Sequence, residues 1–274
     1  MYRDPILING QENGEIPFPW TQLGFRFGDK GTHTSRTIML EELSRLLSVC
    51  PADAARPDYA AAIVEENCLG KHTLSTRRLT LQRLTELYAL NQTVPLFRLL
   101  RMFWSTDDKG HAQLALLAAM ARDPLLRATA SVIVSMSEGE EVARQRLTDA
   151  IRQAVDERLN EATLDKVVRN AASSWTQSGH LEGRGRKKRK KINPTLGAVV
   201  FALVLGYMLG ARGRVLFDTL FSRVLDRDVD ELTGLAMDAR RLGLLDIKAG
   251  GGLMVVSFDG ILTEQEKKLI YGQN

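Results

Sequence analysis

Four histidines, two cysteines and one dense run of cations are the residues of this chain whose chemistry is worth testing first. His33, His72, His111 and His180 stand far apart, and none forms the i, i+4 pair that offers zinc two imidazoles from one helix face. Cys50 and Cys68 have no CxxC setting, so buried free thiols are expected. Gly250-Gly251-Gly252 lacks the lysine and the hydroxyl of a phosphate loop and reads as a hairpin turn. Gly-x-Ser-x-Gly is absent, and no pair of carboxylates stands out from a solvated helix face. These residues predict a protein with no catalytic machinery, metal site, cofactor or small-molecule substrate.

The cation run is different. Residues 184–191 read RGRKKRKK, and without its seven charges the formal net charge falls from +4 to −3. The basic character of the chain therefore resides in one short contact device on a near-neutral body. A solvated linker gives the same composition. The flanking residues favour an ordered alternative. A helix over 163–178 is stopped by Gly179; then come His180-Leu181-Glu182, a Gly-containing turn, and a second strand closing on Ile192. That order predicts a winged helix whose wing carries Arg184, Arg186, Lys187, Lys188, Arg189, Lys190 and Lys191. On the preceding helix the apolar face is Leu164, Val167, Val168, Ala171 and Trp175, which leaves Lys166, Arg169 and Asn170 to face the ligand. Aromatic residues are 6% of the chain, too few for a base-stacking platform, so the nucleic acid expected is double-stranded DNA.

The elements that must hold this device are mostly helical. Residues 1–33 are rich in Gly, Pro and Asn and read as an irregular arm packed by Phe18, Trp20, Phe25 and Phe27. Apolar spacing predicts helices over 35–49, capped by Ser35, and then over 57–67, 74–90, 93–103, 110–122 and 124–136. Ser137-Glu138-Gly139-Glu140 has the form of a capping box opening a helix to about 157. Asn160 or Thr163 caps the next. Helices at 194–210 and 213–225, a helix capped by Asp228 or Asp230, and strands at 243–248 and 253–258 repeat the helix, strand, turn, strand grammar in a second unit whose wing is not basic. Residues 195–211 carry no charge but span about 17 positions with three glycines, which fits a central core helix better than a membrane span. The N-terminus has no basic start, apolar stretch or cleavage signature of a secretory signal, so a cytoplasmic protein is expected.

The stretch SRTIMLEELSRLL, then YAAAIVEENCLGKHTLSTRRLTLQRLTELY, then LLAAMARDPLL and SGHLEG, resembles the BrxA family of BREX phage-defence systems. The similarity covers roughly residues 34–192 in order. The N-terminal arm, the basic run and the longer C-terminal part depart from shorter members, as in a divergent or longer branch. The resemblance implies a bacterial, non-enzymatic accessory protein with a NusB-like helical region and DNA-binding capacity. It also implies partners in the same system: a methyltransferase, an ATPase and a PglZ-type protein.

The expected organisation is an arm at 1–33, a helical bundle at 34–136, a winged helix at 137–192 and a second helical, winged-helix-like unit at 193–274. The expected function is sequence-tolerant duplex DNA binding in antiviral defence. The alternatives are a protein–protein adaptor with purely structural winged helices, or a membrane-associated protein using 195–211.

Overall fold

The structure, a computed structural model, describes residues 4, 6, 18–155 and 158–271, with Phe18 as backbone alone. Most of the N-terminal arm, the side chain of Phe18 and the expected helix end at 157 lie outside the described residues. The rest of the arm is less irregular than expected. It forms α1 (Phe18–Leu23) and a single 3-10 turn at Thr32–Thr34. Trp20 and Phe25 are buried, and Phe27 lies against their rings at 5.8 and 6.5 Å.

Five helices build the bundle: α2 (Leu40–Val49), α3 (Arg56–Val64), α4 (Leu74–Tyr88), α5 (Pro95–Trp104) and α6 (His111–Arg122). Every residue of α6 from Gln113 to Ala121 is buried, as befits a helix that is apolar on all sides. Ser35 does not cap α2, which begins five residues later than expected. The amides that would have made an earlier first turn are taken by another helix: Ile38 N–H donates to Ser174 Oγ at 3.0 Å and Leu40 N–H to Gln177 Oε1 at 3.2 Å.

The next unit is a winged helix. The helix expected at 124–136 is two, α7 (Pro124–Ala128) and α8 (Ala130–Val134), broken at Thr129. The Thr129 hydroxyl accepts the indole N–H of Trp175 at 2.8 Å and donates to the Leu126 carbonyl at 2.6 Å. Ser137 N–H does bond the Glu140 carboxylate, at 2.8 Å, but this pairing closes a turn and opens no helix. Gly139, at φ +79°, turns the chain into an extended edge. There Gly139 N–H and Val142 N–H donate to the carbonyls of Arg189 and Lys187, and Arg189 N–H to Glu140, all at 2.8 Å. Sheet pairing with the wing wins over a helical start that had one side-chain bond behind it. Helix α9 follows only at Arg144–Val155. Asn160, not Thr163, then caps α10 (Glu161–Gln177) by accepting Thr163 N–H at 2.9 Å. Strands β1 (Leu181–Glu182) and β2 (Lys188–Arg189) pair antiparallel with Leu181 opposite Arg189.

Helix α11 (Leu196–Met208) is the uncharged segment, and Gly197 to Met208 is buried throughout. It packs on α5 and α6 of the bundle and on the second unit beyond it. Its glycines are close-approach positions: a Cβ on Gly206 would lie 2.9 Å from the Thr219 methyl. At thirteen residues α11 is a core helix, and no helix among the described residues is long and apolar enough to cross a membrane.

The second unit follows the expected order. The helix expected at 213–225 is a 3-10 stretch, Gly213–Asp218, followed by the short α12 (Leu220–Arg223). Asp228 and Glu231 form a full capping box on α13 (Val229–Arg241). Strands β3 (Asp246–Gly250) and β4 (Leu253–Ser257) form the hairpin, with Ile247 opposite Val256 on its buried face. A closing helix, α14 (Glu264–Tyr271), was not foreseen; it docks on α1 and ties to α5 through Glu266 and Arg98 at 2.5 Å.

Leu245 enters this hairpin with 4% of its surface exposed. Leu245→Asp should lower unfolding free energy by several kcal/mol, about 3 or more, by burying an unpaired carboxylate. Urea denaturation measures this, and a midpoint equal to wild type would refute the packing of β3.

Candidate nucleic-acid interface

The basic run is not one uniform patch. The wing's pleat and its neighbours sort its cations into three environments. Arg184, Arg186, Lys188, Lys190 and Lys191 are exposed. Lys187 is half-buried, its Nζ 2.7 Å from Thr176 Oγ1, and burial lowers its pKa. Arg189 is buried, at 2% exposure, and is lost as a DNA contact. Its Nε donates to the Ile133 carbonyl at 2.9 Å, Nη1 donates to the carbonyls of His180 and Lys190, and Nη2 pairs with Asp226. The inward step of a two-residue period put this cation in the core.

Between the wing, α10 and the start of α9 runs a groove of about 630 Å³. Its apolar floor includes Leu147, Val168 and Ala172, and its walls carry Arg144, Arg169, Arg184, Arg186 and Lys187 against Glu141. The structure thus places Arg169 on the same groove as Arg184 and Arg186 of the wing. Lys166 is exposed on α10 with no ion-pair partner among the described residues. Asn170 is a correction: its amide donates to the His33 carbonyl at 2.8 Å and holds the 3-10 turn instead of facing a ligand. Arg144 was missed. It pairs with Asp165, which Arg169 also approaches at 3.9 Å. Placing a helix start at Ser137 put Arg144 in mid-helix; the extended edge that pairs with β2 would have placed it at the groove.

Arg144 and Asp165 are in close contact, but the two ion pairs of the wing itself are loose. Arg186 sits 3.8 Å from Glu141 and Lys190 3.9 Å from Glu182, all four side chains at least half exposed. Exposed pairs of this kind contribute about 0–1 kcal/mol, so a phosphate can replace the carboxylate at little cost.

One constellation invisible in the sequence lies behind the groove. Ser174 Oγ, His33 Nε2 and Nδ1, and Asp123 Oδ2 form a chain with both links at 2.8 Å. This is the order of a serine nucleophile, base and orienting acid. All three residues are buried, the most exposed at 1%, and Ser174 Oγ also bonds Ile38 N–H and the Asn170 carbonyl. The hydroxyl is sealed from solvent, and the array acts as a clamp between the 3-10 turn, the start of α7 and α10. Burial pushes the Asp123 carboxyl up, but the adjacent His33 and the amides of Leu126 and His33 outweigh it and hold the carboxyl below its usual range. Cys50 is buried and Cys68 half-buried, both free; burial pushes the Cys50 thiol up to about 11. No group of three His, Cys, Asp or Glu side chains able to hold a metal occurs among the described residues.

His180 anchors the wing root. Its Nε2–H donates to the Val224 carbonyl at 2.7 Å, and Nδ1 faces the Ser178 hydroxyl at 2.8 Å. Burial lowers its pKa to about 4. The unfolded chain therefore takes up this proton first, near pH 6.5, and stability is lost as pH falls from there toward 4. At 1.36 kcal/mol per unit the loss is about 3 kcal/mol. The gap in unfolding free energy between wild type and His180→Gln should narrow over this range; a constant gap would mean that folding leaves the His180 pKa unchanged.

Arg189→Ser should cost about 3–5 kcal/mol by leaving Asp226 buried and unpaired. Lys188→Ser beside it should cost less than about 0.5 kcal/mol. Equal thermal melting of the two variants would show that the buried pair does not form.

Compared with known proteins, the chain matches no protein-family model and no curated sequence.

Proposed function

We propose that this protein binds duplex DNA through its winged helix, without strong sequence preference, as a non-enzymatic cytoplasmic accessory of a BREX-type bacterial defence system. The carrying observation is the convergence of the exposed wing cations Arg184 and Arg186 with Arg144 and Arg169 on one groove, with Lys188, Lys190 and Lys191 exposed on the same hairpin. Cations on a hairpin tip reach backbone phosphates, which position a protein on DNA and carry no sequence information. The solvent face of α10 also carries Glu161 and Asp165, both exposed. These carboxylates disfavour deep insertion of the helix beside phosphates and shift the contact toward the wing. The defence assignment rests on the residue-level resemblance over 34–192, and its methyltransferase, ATPase and PglZ-type partners come with it.

A second observation favours an adaptor role for the other wing. Leu242, Leu253 and Val255 are 64%, 69% and 53% exposed in and beside the β3–β4 hairpin. Large apolar side chains gathered on a surface suit contact with a partner protein. The two readings are compatible, one wing for each.

The test replaces Arg184, Arg186, Lys188, Lys190 and Lys191 with serine and spares Arg189 and Lys187. Wild type should bind random duplex with an affinity that falls steeply with salt. If about four of these cations neutralise phosphates, the variant's slope of log K against log[salt] should be flatter by about 3 units. Its melting temperature should stay near that of wild type. A folded variant with an unchanged slope would remove the basic wing from DNA binding and leave the adaptor reading.

A further inference from the structure

Three arginines are buried among the described residues: Arg101, Arg127 and Arg189. Arg127 faces the Asp4 carboxylate and Arg189 faces Asp226. Arg101 has no acid. One of its terminal nitrogens donates to the Cys50 carbonyl at 2.6 Å, and its Nε has no hydrogen-bond partner. It is 7% exposed, and it lines a pocket of about 180 Å³ together with Arg98, Gln92 and Ser105. No carboxylate lines this pocket. Arg98 is already neutralised by Glu266. The buried Tyr59 hydroxyl sits close by: burial raises its pKa, and the neighbouring Arg101 and Gln92 side chains act against that shift.

A buried guanidinium without a counter-ion is costly, and the fold has supplied one to each of the other two. The missing group must be negative, small enough for the pocket, and able to accept from a forked donor. Guanidinium matches tetrahedral and planar oxyanions in this way. The geometry points to a small-oxyanion site, for inorganic phosphate, sulfate or a free carboxylate, held by Arg101 between α5 and the end of α2. It is separate from the wing and independent of the DNA reading.

The experiment is calorimetric titration of the full chain with phosphate, sulfate or acetate, at ionic strength held constant with chloride. One saturable site is expected, with the preferred anion identifying the ligand geometry. The wing variant with five serines should retain it, which separates this site from phosphate-attracting surface cations. Arg101→Leu should weaken it by about tenfold to a hundredfold, the effect of one charge-assisted hydrogen-bonding group. Gln92→Glu, which supplies an internal counter-charge and removes no buried cation, should do the same and decides the matter if Arg101→Leu does not fold. Absence of saturable heat with all three anions, retention in Gln92→Glu, or loss in the wing variant alone would overturn the proposal.

Discussion

A guanidinium withdrawn from water needs acceptors for its donors and a charge to face, and Arg189 finds four acceptors, one of them a carboxylate. Its partners come from four places in the chain: the end of α8, the residue before β1, the residue after β2 and the turn at Asp226. Asp226 sits in the left-handed region at φ 59° and uses its second oxygen to accept Ile192 N–H at 3.0 Å. One ion pair thereby fixes the root of the basic wing to the second unit. The tip, from Arg184 to Arg186, lies beyond its reach and stays exposed. A rigid root with a free tip lets a short hairpin present charge without a large sheet behind it.

Much of this could be read in advance, because the informative signals were local. Asn160, Gly179 and Asp228 mark their helix ends by side-chain and backbone chemistry that needs no tertiary partner. The two hairpins announced themselves through glycine turns between short apolar starts. Ser137 shows the limit. Its pairing with Glu140 is real, yet a capping box and a tight turn share that bond. Only the pairing with β2, at Lys188–Arg189, decides between them.

The same limit divides the basic run. Lys188, Arg189 and Lys190 are alike in composition and differ only in which way the pleat turns them. Asp226, the residue that makes Arg189 structural, is 37 positions away. His33, Asp123 and Ser174 were less legible still, since they are 90 and 141 positions apart and share no pattern. Arg144 fell between these cases: its place followed from the extended edge beside β2, which the helical reading of 137–143 had hidden.

Helix α11 also orders events in time. Its neighbours α5 and α6 are complete at residue 122, whereas α11 itself ends at Met208. At about 5–20 residues per second, roughly 4–17 seconds of synthesis separate the two. Throughout that interval the nascent bundle holds open the apolar trench that α11 will fill. The apolar faces of α5 and α6 that α11 covers are thus made before their cover, and uncovered apolar surface on a nascent chain is what aggregation acts on and chaperones shield.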